Sequence, residues 1–438
     1  MIRLAHPITR FIPGIYGALG LLLPALLAAP ACGAVHQVPA DFTRITDAVA
    51  AASAGDSVLV AAGVYSTTAT GESFPIAINT DLILLGAGMG LSVIDAEDQD
   101  TAIRIESSCR LSGFTVTGGL GVEGGGIRVV SGSPEIDHDL VLHNRASFVG
   151  SGIFVAPGGT PWIHHCVVWE NDDTDVATGG DPHGIQFRSA GGIVEYTLVG
   201  RGDSNGLLIN ADSYPIVRNS IFYENGTPGL RGRGICQLDT TRVSVIAHNL
   251  FYNNVKAALL VVPFAEFGDI SAATANDLDP EDTIYGNLDA DPEFVAPGAR
   301  DWSLRSTSPA IDAGEPGSPQ DPDGTPADCG PYYFHQSTSG LPDDRDPGRD
   351  AWIVFPNPSR AATTFAFRLE EAGPVRVAIY DLHGRRVATV FEGHRPPGDH
   401  RVTWDGVDAL GQRVPSGAYV ARLHAAGKRL TQKVVLLR

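Results

Sequence analysis

One recurring pattern limits what this chain can fold into. An apolar residue is followed five positions on by another, and three further on by Asn or Gly. Ile136 to Asn144, Ile163 to Asn171, Val217 to Asn225 and Ile246 to Asn254 carry it fully. Leu111 to Gly119 and Ile193 to Arg201 are variants, and Val58 and Leu82 open fainter copies. The starts are spaced 24, 29, 25, 27, 30, 24 and 29 residues apart. A second signal precedes the later copies: Gly126-Ile, Gly152-Ile, Gly184-Ile, Gly206-Leu and Gly234-Ile each open a short aliphatic stretch. Alternation within these stretches has period two, the signature of strands. One such unit cannot bury its apolar face alone, but stacked units bury a continuous column. Parallel strands lie about 4.8 Å apart, so eight turns make a column on the order of 40 Å long. The predicted class is therefore all-β, a parallel β-helix solenoid. The Asn slots (Asn144, Asn171, Asn225, Asn254) suit turns with left-handed backbone angles.

Composition agrees. Gly (51) and Pro (30) are too frequent for a long helical bundle, and 43% hydrophobic residues exclude wholesale disorder. The net charge of −19 is uneven: residues 351–438 carry 13 basic and 7 acidic side chains, leaving 18 and 43 for the first 350. A body that acidic is a poor nucleic-acid binder. At the N-terminus, Arg3 and Arg10 precede an apolar run from Ile15 to Leu27 and the small residues Ala28 to Ala34. That is the layout of an export signal over residues 1–34. The run is shorter than the roughly 20 residues of a membrane span, so no transmembrane segment is expected in the mature chain. Cys32 leaves lipidation as a second reading.

The repeat resembles the right-handed parallel β-helices of the pectate-lyase-like superfamily. Phe42 to Ser53 reads as a capping amphipathic helix, followed by Gly55-Asp56-Ser57-Val58-Leu59-Val60-Ala61-Ala62-Gly63-Val64-Tyr65, which is typical of first coils in secreted members. Asn287 to Phe294 and Ser308 to Gly314 resemble the closing segment of bacterial members. The solenoid is assigned to residues 35–340 and an acidic linker to 341–350. Residues 351–438 show short alternating strands separated by turns, the pattern of an Ig-like β-sandwich. Phe355-Pro-Asn-Pro358, Ile379 to Arg385, Trp404-Asp-Gly406, Ser416 to Tyr419 and Val434 to Leu436 resemble the type A sorting domain of type IX secretion cargo. They also resemble the Ig-like domain of the flagellar hook-capping protein. The sorting resemblance implies the type IX machinery as a partner and a secreted or outer-membrane surface location after periplasmic passage.

Chemistry is harder to read. The richest polar loop contains Asp172, Asp173, Asp175 and Asp181, then His183, ahead of a strand bearing Gln186 and Arg188. Several carboxylates together suit a hard cation such as Ca2+. The resemblance to calcium-dependent lyases implies these aspartates as metal ligands, with Arg188 and His183 as catalytic candidates in β-elimination. Outward neighbours Arg128, Phe154 and Gln186 on the strand column, and an aromatic ladder of Trp169, Tyr223 and Tyr252 interrupted at Val199, are the candidate substrate contacts. A His column (His138, His165, His248), with Glu195 and Asn219 between, is expected to stack near a bend rather than to bind a metal. The polygalacturonase motifs fail. Asn79-Thr80-Asp81 and Asp172-Asp173 sit three turns, about 14 Å, apart, beyond the ~6.5–9.5 Å an inverting pair needs. The expectation is a secreted β-helix protein that binds extracellular polysaccharide or envelope glycan without a complete catalytic motif. A calcium-dependent uronan lyase is the alternative. The four cysteines after residue 34 are expected to be unbridged where column distance decides, namely Cys109, Cys166 and Cys236.

Overall fold

The computed structural model describes residues 33–173, 183–227, 232–238, 244–261, 268–278, 283–336, 353–355, 362–369, 372–380, 385–408, 411–415, 417–425 and 428–436. Asp175, Asp181 and the export-signal segment before Gly33 lie outside them. The first part is a right-handed parallel β-helix of about eight turns. Its short strands pair only with their equivalents one turn away, always in parallel register. Sheet 1 has ten strands, from Val35–Val38 to Ile284–Tyr285. Sheet 2 has nine, from Gly63–Tyr65 to Leu288–Asp289, and sheet 3 has eight, from Ile76–Ile78 to Ala257–Val261. In the three-residue strands of the central turns the middle residue points inward in sheets 1 and 2, and the first and third point inward in sheet 3. Leu111, Ile136, Ile163, Val141, Phe222, Ile127 and Val155 are all fully buried in this way. Burial of each such side chain contributes about 1.5–3 kcal/mol, so the column is held by accumulation.

Two of the eight repeat starts move. Leu84, not Leu82, pairs with Val58 and Leu111, and Val194, not Ile193, pairs with Ile163 and Val217. A one-residue slip exchanges the two faces of a strand, so the frame has to be set elsewhere. It is set by the bend. One residue after each later sheet 1 strand is left-handed: His138, His165, Tyr196, Asn219 and His248 have φ between 47° and 54°. Counting back from Tyr196 makes Val194 the inward residue.

A second set of bends follows sheet 2, and it corrects the reading of the asparagines. The left-handed residues are His143, Glu170, Arg201, Glu224 and Asn253, each just before an Asn slot or its equivalent. The asparagines themselves turn inward. The Asn144 Nδ2 donates to the Val116 carbonyl (2.9 Å) and to Asn171 Oδ1 (3.0 Å), while Asn171 Nδ2 donates to the Val141 carbonyl (2.9 Å). Asn225 and Asn254 repeat the scheme. Buried amides of one coil thus satisfy backbone groups of the last, which buried chain requires. All four described cysteines are buried and free.

A short helix, Ile45–Ala51, closes one end with Ile45, Ala48 and Val49 buried. The buried Glu72 carboxylate accepts from the amides of Ile45 (2.6 Å) and Thr46 (3.1 Å) and so caps its orphaned N–H groups. At the far end the chain passes through a hairpin, Phe294–Ala296 with Asp301–Leu304, and then a turn-rich strap. Phe294, Trp302, Leu304, Ala310 and Cys329 pack on the outer face of sheet 2.

The second part is described by itself. A three-stranded antiparallel sheet (Ile353–Phe355, Thr363–Leu369, Gly398–Trp404) and a four-stranded one (Arg386–Arg395, Gly373–Tyr380, Gly417–Ala425, Lys428–Leu436) share one core. Alternate residues fill it: Phe365, Phe367 and Leu369, then Val375, Val377 and Ile379, then Tyr419, Ala421 and Leu423.

Candidate functional site

The outer face of sheet 1 presents the first and third residues of each strand. In register, Ile83, Arg110, Glu135 and Trp162 form one row, and Ser112, Asp137, His164 and Glu195 form the next. An open groove of about 490 Å³ follows the first row, lined in part by Asp81, Ile83, Ser108, Arg110, Glu135 and Trp162. Trp162 is 42% exposed. Its indole is fixed from below: Nε1 donates to Glu195 (2.7 Å), and the ring lies 4.2 Å from the His164 imidazole.

Charge beneath the groove is arranged around Asp137, which is fully buried. The Arg110 guanidinium donates from Nε (2.8 Å) and Nη2 (2.9 Å), Ser112 Oγ lies at 2.9 Å, and His138 Nδ1 at 2.7 Å. Burial opposes the Asp137 charge, but these bonds outweigh it and hold the carboxyl far below the usual carboxylate range. His164 Nε2 lies 3.3 Å from Glu135 Oε1, and its Nδ1 lies 2.9 Å from His165 Nδ1. Burial lowers the His164 pKa, and burial with the neighbouring histidines pushes His165 down to about 4. Both rings are therefore neutral near pH 7. His138, His165 and Tyr196 stack at 5.1 and 5.0 Å, so the histidine column is a stack at the bend. Its third partner is Tyr196, in the slot assigned to Glu195 from sequence.

The residues singled out from sequence fare differently. The aromatic ladder does face outward, but the strap covers it: Trp169 is wholly buried against Trp302 (5.3 Å) and Tyr223 is buried against Phe294 (5.4 Å). Tyr252 is half-buried. The ladder is interrupted by Gly200, not Val199, and the missing side chain lets Trp169 and Tyr223 stack across it at 5.8 Å. Arg128, Phe154 and Gln186 do share one column of sheet 3. Phe154 and Gln186 are nevertheless 1% exposed and present no surface to a ligand. Arg128 is half-buried and ion-paired to Glu123 (2.8 Å), whose other oxygen pairs with the exposed Arg188 (3.3 Å). His183 is fully buried. Asp172 is half-buried. Burial and the charge of Asp203 push its carboxyl up to about 6. Asp173 pairs through its backbone with Ala146 of the neighbouring turn.

Reasoning from the sequence missed the groove. Arg110, Glu135 and Trp162 stand one position before each repeat start, in the slot that alternation sends outward. Reading that slot down the repeat would have found them.

Residues 88–264 match the family described as right handed beta helix region, and residues 357–428 match the FlgD Ig-like domain. No curated protein matches the chain. Among solved structures the chain is similar to pectate lyase Pel9A, with 15% identity over 66% of this chain and 90% of that one and a TM-score of 0.42. It is similar to a mannuronic acid specific polysaccharide family 6 lyase from human gut microbiota, with 12% identity, coverage of 50% and 53%, and a TM-score of 0.32. It is also similar to dimeric latent PorU from Porphyromonas gingivalis, with 26% identity over 20% of this chain and a TM-score of 0.18. The chain spans 9% of the length of PorU.

Proposed function

We propose that this protein is a secreted or cell-surface β-helix protein that binds extracellular polysaccharide in the sheet 1 groove and carries no complete catalytic set. The observation behind this reading is Trp162. A half-exposed indole, locked by Glu195 and His164, offers a flat apolar face of the kind on which sugar rings stack. Asp81, Glu135, Ser108 and Arg110 line the same groove and supply hydrogen-bonding groups for ring hydroxyls. Export rests on the signal-like segment 1–34, and surface delivery on the sandwich acting as a type IX sorting domain whose partner is that secretion machinery. The test is a glycan-panel screen of the purified mature protein, with and without calcium, followed by Trp162→Ala. Loss of at least tenfold in affinity with an unchanged melting temperature supports the reading. Binding that survives Trp162→Ala refutes it.

The second reading is a calcium-dependent uronan lyase centred on Asp172 and Arg188. It is favoured by the crowding of Asp172 by Asp203 and Glu170, like charges that a divalent cation would relieve. Asp175, Asp181 and the Asp173 side chain lie outside the described residues. Arg188 is engaged by Glu123. Calcium-dependent release of ultraviolet-absorbing unsaturated uronides, abolished by Asp172→Asn or Arg188→Ala, would favour it over the binding reading.

A further inference from the structure

Glu135 and Asp137 stand two residues apart on one strand and therefore share its outer face. His164 is the direct cross-strand partner of Asp137. One oxygen from each carboxylate and one imidazole nitrogen all lie within 4.8 Å of one another. We propose that Glu135, Asp137 and His164 form a site for one divalent transition ion of the zinc class. Imidazole with carboxylate is a donor set that suits borderline ions such as zinc.

The surroundings support a built site. His164 Nδ1 sits 2.9 Å from His165 Nδ1, so one of the two nitrogens carries the proton they share. With its proton on Nε2, His164 donates to Glu135. With its proton on Nδ1, it donates to His165 and turns the Nε2 lone pair toward Glu135. The second tautomer is the one a ligand histidine needs, with its other nitrogen bonded to an outer partner. His165 is held for that role by stacking between His138 and Tyr196. Asp137 is oriented by Ser112 and His138.

Arg110 is the competitor. It binds Asp137 through two nitrogens and comes within 3.5 Å of Glu135, so its charge lies where the ion would. Its side chain is 43% exposed and has room to swing into the groove. Arg110 thus lowers the affinity of the site without contributing a ligand, which separates this site from unspecific histidine binding. The proposal does not depend on glycan binding.

Zinc titrated into the full chain by calorimetry, with cobalt absorption as a second readout, tests it. One ion per chain is expected. His164→Ala should weaken binding at least tenfold, and Arg110→Gln should tighten it several-fold. His143→Ala, at an exposed histidine of the second bend, should leave it unchanged. Absent zinc binding, full binding in His164→Ala, an equal loss in His143→Ala, or weaker binding in a stably folded Arg110→Gln would each overturn the proposal. If His164→Ala fails to fold by circular dichroism, Glu135→Gln makes the same test at a half-exposed residue.

Discussion

Asp139 offers the sharpest test of how the solenoid is held together. It occupies the inward slot after the first bend, the slot filled later by Asn249 and Asn287. Those two asparagines each accept an amide and donate Nδ2 to a carbonyl of the previous turn, Asn249 to Val217 (2.9 Å) and Asn287 to Ile246 (2.7 Å). Asp139 reproduces half of this. Its Oδ1 accepts from the Phe114 amide (2.7 Å), but its fully buried Oδ2 has no partner. In the slot of Asn249 and Asn287 the second side-chain atom serves as a donor to the previous turn, a role a carboxylate oxygen cannot fill without a proton. Burial, reinforced by the nearby Asp137 charge, raises the carboxyl well above its ordinary value of 3.8, so folding favours the protonated form. An acid whose folded pKa is raised stabilises below its unfolded pKa and loses that contribution as pH rises toward the folded value. Asp139→Asn restores the donor without a proton to lose. At pH 4 the variant and the parent should differ by under about 0.5 kcal/mol. Above that the advantage of Asn should grow by about 1.4 kcal/mol per pH unit for as long as the folded carboxyl keeps its proton. It should level off where the folded carboxyl finally ionises. Guanidinium unfolding followed by tryptophan fluorescence at pH 4, 5, 6 and 7 measures this. A gain independent of pH, or a loss at pH 7, would refute the argument.

Three further outcomes follow from the same geometry. Gly200→Ala puts a methyl group 2.5 Å from the Trp169 ring, beneath a ring that the strap prevents from moving outward, and should cost about 1–3 kcal/mol and alter the near-ultraviolet circular dichroism. In the strap, burial raises Asp328 to about 7 and Asp321 to about 6. The protonated forms are the stable ones there, so the strap should lose stability as pH rises from about 4 toward 7 and level off above that, seen as a change in Trp302 emission that Asp328→Asn suppresses. Asn171→Ala removes the donors to the Val141 and Trp169 carbonyls and the acceptor of the Asn144 amide, all buried, and should destabilise by about 2–4 kcal/mol in thermal unfolding.

The fold was legible because a stacked coil repeats its constraints. An inward slot must be apolar in every turn, so Ile136, Ile163, Val217 and Ile246 reveal the column even at irregular spacing. Where a turn is ambiguous, the sequence misleads by one or two residues. Ile193 and Val194 are both apolar and β-branched, and only the left-handed bend at Tyr196 decides between them. The same slip displaced Val199 from the ladder slot that Gly200 holds.

The site was less legible for a different physical reason. Alternation states which way a side chain points, and it is silent on what lies above it. Trp169 and Trp162 both point outward from neighbouring strands of one turn. Trp169 is wholly buried because Trp302 and the strap, more than a hundred residues later, fold back across sheet 2. Trp162 stays 42% exposed, in the groove that sheet 1 leaves open. Cover of this kind is a long-range property of the chain, carried by Phe294, Trp302 and Leu304 and by nothing within either repeat. Removing it should therefore convert one face into the likeness of the other. Trp302→Ala with Phe294→Ala would expose the Trp169–Tyr223 stack without touching the column beneath. Increased binding of a hydrophobic fluorescent dye, with helical-end stability unchanged, is the expected result. A loss of the whole solenoid instead would mean that the strap is part of the core and that sheet 2 was never a free face.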